Sequence, residues 1–267
     1  MTEVSEPECR TLRRLYRGTR VESAYAWPFE RLDELDSSFN VQEYLQQLIR
    51  QDKNNIDLLI AVPESVDQEI WQYEHLRQVC LELNLLVVNL ETECTKEICP
   101  EMKADGWLYL CAAHPGTQSC SAIDYTIHTL DGAANLLNNS KYFPSRIHVP
   151  PHSLKQFQAI ARRLYRIFAH AYFHHREIYE DFENDTALYA RFLRLSQTYN
   201  LIQPSQINIP QHESNLENDD IPRNTDAGPR QHLDSSGSES KNNKPEISND
   251  EDDDDQSIAS AIHINDE

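Results

Sequence analysis

The apolar residues Leu154, Phe157, Ala161, Leu164, Phe168 and Ala171 step by 3, 4, 3, 4 and 3. At about 100° per residue they fall on one face of a helix. This spacing predicts a helix starting near Ser153 with one side turned to a core. Leu76, Val79, Cys80, Leu83, Leu86 or Val87, and Leu90 repeat the pattern, with Cys80 as a small core residue. Further helices are expected from about Asn40, through Val41, Tyr44, Leu45, Leu48 and Ile49, and over 122–138. The latter runs through Ile123, Ile127, Leu130, Ala133, Ala134 and Leu137, with Ser121 and Asp124 as a capping box. A last helix is expected from Thr186 to Tyr199, ending before Asn200 and Pro204. Between the helices, 91–120 is rich in turn residues and cysteine, and Trp107 to Cys111 suits a short strand or hairpin arm. Asn54, Asn55 and Pro63 break the early pattern, and 139–152 with its three prolines reads as a loop. The fold class is mostly α, a helical bundle with a small β-hairpin.

Charge divides the chain. Residues 211–267 hold 16 acidic and 4 basic residues, a net of −12. Residues 1–210 hold 28 acidic and 20 basic residues, a net of −8. The three parts are an irregular N-terminal basic arm (1–35), a helical domain (36–205) and a disordered acidic tail (206–267). The arm carries Arg10, Arg13, Arg14, Arg17 and Arg20. The tail beyond Pro210 has no Phe, Trp or Tyr, so it buries too little apolar area to offset chain entropy. Ser248, with Asp250 and Glu251 after it, suits an acid-directed kinase.

Several functions are disfavoured. The six glycines (Gly18, Gly106, Gly116, Gly132, Gly228, Gly237) form no phosphate-cradling loop pattern. No apolar run nears the ~20 residues that span a bilayer. The N-terminus lacks the apolar stretch of a secretory signal, so an intracellular, reducing setting is expected and the cysteines are thiols or metal ligands. The acidic balance argues against nucleic-acid binding. No H-E-x-x-H, G-x-S-x-G or paired-acid signature occurs. Cys111, His114 and Cys120 are the remaining candidates for a nucleophile with a base, or for a second metal set.

The main chemical signal is Cys94-x4-Cys99, followed some seventy residues later by His170, His174 and His175. Two thiolates and two imidazoles make a closed tetrahedral zinc site, which is structural because no position is left for a reacting water. On a regular helix His170 and His174 share a face, whereas His170 and His175 lie about 140° apart. Helical geometry alone therefore favours His174. On the same wheel, with Leu164 at zero, Arg162, Arg163 and Arg166 fall at about 160°, 260° and 200°. The three guanidiniums are expected on one exposed face opposite the apolar stripe. Arginine forks bind phosphate in bidentate fashion.

Five segments resemble the Mob family, specifically its phocein branch. They are YEHLRQVCLELN (73–84), ECTKEICPEM (93–102), WLYLCAAH (107–114), AIDYTIHTLDGAANLLNNSKYFPSR (122–146) and RRLYRIFAHAYFHHREIY (162–179). The resemblance covers about residues 20–203. It implies a zinc-stabilised helical bundle, with structural Zn2+ on Cys94, Cys99, His170 and His175, and His174 as the alternative to His175. It also implies a non-catalytic adaptor. The basic phosphopeptide pocket of the family corresponds to Arg162, Arg163 and Arg166. One segment departs: in PESVDQEIW, Val66 and Ile70 stand where kinase-activating members carry acids, while Trp71 is retained. That turns the expectation from NDR/LATS-type kinases to the partners of the phocein branch. These are a striatin-type scaffold, a germinal-centre-type Ser/Thr kinase and a phosphatase assembly. The branch also suggests a peripheral association with Golgi or vesicle membranes in a cytoplasmic protein. The alternative function is a purely structural scaffold subunit without phosphate recognition.

Overall fold

The computed structural model describes residues 16–20, 23–24 and 28–210. Arg10, Arg13, Arg14 and residues 211–267, with Ser248, lie outside the described residues, whereas 206–210 of the expected tail are described and bury Ile209; Arg17 and Arg20 are exposed. The elements in order are α1 (Asn40–Gln51), α2 (Ile56–Ile60), α3 (Gln68–Leu90), β1 (Lys103–Ala104), β2 (Trp107–Leu108), α4 (Ala122–Asn138), α5 (Leu154–His174), α6 (Arg176–Thr186) and α7 (Leu188–Thr198). The two strands form an antiparallel hairpin in which Lys103 faces Leu108 and Ala104 faces Trp107. A mostly helical fold with one small hairpin is therefore what the chain adopts.

α3 is the hub and packs against α1, α4, α5, α6 and α7. Every residue from Ile70 to Leu76 is buried, so the first part of this helix is enclosed all round rather than along one stripe. Its polar residues need partners at that depth. Glu74 takes a bidentate ion pair from Arg146, at 2.9 and 2.5 Å. His75 bonds the Leu59 carbonyl at 3.0 Å. Further along α3, Leu86 and Val87 are both buried. Leu81, Leu85 and Val88 face outward instead. A second, smaller core joins Leu45, Leu48 and Leu59 to Trp71, whose indole N–H donates to the Ile60 carbonyl at 3.2 Å.

Some expected features differ. α2 was hidden inside the Asn54–Pro63 break; Asn55 caps it by accepting from the Leu58 N–H at 3.3 Å. α6 was not anticipated either. It stops at Ala187, in the left-handed region (φ 50), where the chain turns at once into α7. The half-buried Glu183 carboxylate accepts the first N–H groups of α7 from Tyr189 and Ala190, at 2.7 and 2.9 Å. Ile127 and Ala134 of α4 face outward because α3 and α5 cover the opposite side of that helix. The capping box is half made. The Asp124 N–H donates to Ser121 Oγ, but the Asp124 carboxylate takes the Ser121 hydroxyl at 2.8 Å and Lys96 at 3.0 Å.

Candidate functional site

One loop and one helix end build a Cys2His2 centre. After α3 the chain turns tightly, with the Cys94 N–H donating to the Leu90 carbonyl at 2.7 Å and the Cys99 N–H to Thr95 at 2.8 Å. The turns point both sulfurs inward. From α5, His170 puts Nε2 3.3 Å from Cys94 Sγ. His175 puts Nε2 3.4 Å from Cys99 Sγ. All four donor atoms lie within 4.8 Å of one another and all four residues are buried. Ligands at about 2.3 Å for sulfur and 2.0–2.1 Å for nitrogen give S···N edges of roughly 3.6 Å in a tetrahedron. The set is nearly pre-shaped for such an ion.

The outer bonds fit the same purpose. His170 Nδ1 lies 2.7 Å from the Lys103 carbonyl, which only accepts, so Nδ1 carries the proton and the Nε2 lone pair faces the sulfur. His175 Nδ1 lies 3.7 Å from the Glu93 carboxylate. Burial depresses His170 to about 4, keeping it neutral. Burial also lowers His175, against the pull of Glu93. Burial and the neighbouring Cys99 push the Cys94 thiol up to about 12. Two buried thiols and two neutral imidazoles are a donor set that a divalent cation would convert to a neutral complex.

α5 ends at His174, and His175 leaves helical geometry (φ −137, ψ 57). The 140° separation expected on a regular helix therefore does not apply. His174 is exposed and stands outside the cluster.

The arginines do not share one solvent face. α3, α4, α6 and β1 all pack on α5, so little of its circumference is open. Arg163 is buried at 9% exposure, which corrects its placement on an exposed face. Arg162 and Arg166 are half-buried and line an open cavity of about 180 Å³ with Trp107, Tyr109, Tyr165 and Asn208. Arg166 is held in place: it donates to Tyr125 Oη at 2.9 Å and lies 4.8 Å over the Tyr109 ring. Across the cavity, Tyr165 Oη accepts the N–H groups of Asn208 and Ile209 at 2.7 and 3.0 Å. That fixes the segment after α7 as a wall, a role the sequence reading missed.

Residues 47–210 match the Mob1/phocein family. The chain is 49% identical over 200 residues to the Drosophila melanogaster protein "MOB kinase activator-like 4", covering 74% of this chain and 90% of that one. It is 45% identical over 204 residues to the Caenorhabditis elegans "MOB-like protein phocein", covering 76% of this chain and 92% of that one. The chain belongs to the Mob1/phocein family.

Within this Mob1/phocein chain, Ile70 and Trp71 are buried and Val66 is half-buried. The segment that departs from the kinase-activating pattern is thus part of the core edge. Cys111, His114 and Cys120 also come together, with His128 of α4 as a fourth member that sequence reasoning missed. The signal was available: His128 follows Cys120 by eight residues on the next helix. No helix among the described residues is long and apolar enough to cross a membrane.

Proposed function

We propose that this protein is a non-catalytic adaptor that holds a phosphorylated Ser/Thr segment at Arg162 and Arg166. The observation that carries the reading is the fixed Arg166 guanidinium, oriented by Tyr125 and Tyr109 at the rim of an open cavity. A guanidinium already positioned loses less freedom on binding and offers a planar fork to a phosphate. Arg163, buried on the same helix, is not part of that rim. A structural zinc ion on Cys94, Cys99, His170 and His175 ties the loop after α3 to the end of α5. It acts as a closed cross-link, with no position for substrate.

The family and the relative named phocein support a place in a striatin-type scaffold, beside a germinal-centre-type kinase and a phosphatase assembly. The buried Ile70 and half-buried Val66 favour these over NDR/LATS-type kinases, whose basic helices need acids there. Any contact with Golgi or vesicle membranes would be peripheral. The deciding experiment is calorimetric titration of the full chain with a phosphothreonine peptide and its unphosphorylated twin. Binding that depends on the phosphate and is lost in Arg166→Ala supports the adaptor. Equal, weak binding of both peptides leaves a scaffold subunit without phosphate recognition.

A further inference from the structure

We propose that Cys111, His114, Cys120 and His128 form a second tetrahedral metal centre of the zinc class, separate from the one at the end of α5. The four donor atoms lie within 4.8 Å of one another. His114 Nε2 is 3.0 Å from Cys120 Sγ. His128 Nδ1 is 3.6 Å from Cys111 Sγ and 3.9 Å from Cys120 Sγ. These distances bracket the roughly 3.6 Å S···N edge of a zinc tetrahedron. The His114 and His128 rings meet edge to face with centroids 4.8 Å apart, so each turns a nitrogen to the sulfurs rather than stacking flat. Two sulfurs and two imidazoles select zinc over hard cations such as calcium or magnesium.

The backbone is built to converge there. Cys111 and Gln118 exchange both backbone hydrogen bonds, at 2.8 and 3.2 Å, and so close the intervening loop. Gly116 takes φ +80 in its turn, a conformation that L side chains rarely adopt. The closure brings Cys111 and Cys120 to the same end of the loop, opposite His128 on α4. Burial and the neighbouring Cys111 push the Cys120 thiol up to about 11. Two thiolates and two imidazoles around a divalent ion make a neutral complex. Burial already lowers His128, and His114 lowers it further, against the carboxylates of Asp124 and Asp131. This second cross-link joins the hairpin loop to α4. The same stretch carries Trp107 and Tyr109, which line the cavity beside Arg166.

The test is a metal count on the purified, reduced full chain, by elemental analysis and by native mass measurement. Two zinc ions per chain are expected. His128→Asn should leave one, and Cys94→Ser should also leave one, because each variant empties a different centre. One zinc ion in the wild-type chain that persists in His128→Asn would overturn the proposal. One zinc ion that His128→Asn removes and Cys94→Ser keeps would support this centre and sink the other. If either variant fails to fold, Cys120→Ser or Cys99→Ser replaces it at the same centre, so a wild-type count of one is still assigned to one of the two.

Discussion

His174 and His175 are neighbours on opposite sides of a helix end. His174 closes α5 and faces solvent, while His175 leaves helical geometry and sets its Nε2 3.4 Å from Cys99 Sγ. His175→Ala therefore removes a donor from the buried cluster and His174→Ala does not. Zinc affinity should fall in His175→Ala by more than the roughly 10–100-fold that outer partners supply. Loss of a cross-link worth a few kcal/mol lowers Tm by roughly 5–10 °C in a domain of this size. Competition with a chromogenic chelator and a thermal melt read the two effects. Equal losses in the two variants would show that the fourth ligand is misassigned.

Arg162, Arg163 and Arg166 should separate by what each touches. Arg162→Ala and Arg166→Ala each remove a charged fork from the cavity. Charge-assisted hydrogen bonds contribute about 1.5–3 kcal/mol each, so phosphopeptide affinity should drop roughly 10–150-fold. Arg163 is a buried residue of α5, so Arg163→Ala should lower stability by about 1–3 kcal/mol and leave affinity nearly unchanged. Titration and chemical denaturation of the same three variants test this division. A loss of affinity confined to Arg163→Ala would reverse it.

The α5 stripe was legible because Phe157, Ala161, Leu164, Phe168 and Ala171 all face the core at helical spacing. The Cys-x4-Cys turn was legible because two thiols five residues apart have few other uses near a histidine cluster. The burial of Arg163 was not legible. A helical wheel assigns a polar side to solvent, and here that side is covered by neighbours from distant parts of the chain. His175 was misjudged on geometry for a related reason: the wheel assumes that α5 continues, and it ends at His174. His128 follows Cys120 by only eight residues, but that spacing gains meaning once the Cys111–Gln118 closure brings both thiols to α4. Pattern reads local periodicity well and reads enclosure by remote elements poorly.

The Arg146–Glu74 pair should behave as a buried ion pair. Burial raises the Glu74 pKa despite two bonds from Arg146, so the charge is tolerated only because Arg146 is there. Arg146→Ala leaves a buried carboxylate facing only Arg77 at 3.9 Å. Breaking such a pair costs about 3–5 kcal/mol. Adding Glu74→Gln should recover part of the loss, since the double variant carries no buried charge to solvate. Urea denaturation of the two single variants and the double variant gives the coupling. Additive losses would mean that the pair contributes nothing beyond packing.

His75 links stability to pH. It is wholly buried, meets Trp71 edge to face and bonds the Leu59 carbonyl through Nε2. Burial, with the nearby Arg191 charge, depresses its pKa to about 3. The unfolded chain takes up this proton near pH 6.5, whereas the folded protein refuses it until about pH 3. The folded pKa is the lower one, so the contribution is fully present above pH 6.5 and is lost as pH falls toward 3. One proton gives a slope of about 1.4 kcal/mol per pH unit inside that window. In His75→Gln the amide can still donate to the Leu59 carbonyl but cannot titrate. Stability should therefore fall less steeply between pH 6 and 4 in the variant than in the wild-type chain, so the gap between the two narrows as pH drops. Denaturation at several pH values, with metal held saturating in both proteins, measures that narrowing; a gap constant from pH 7 to 4 would mean that His75 accepts its proton in the folded state.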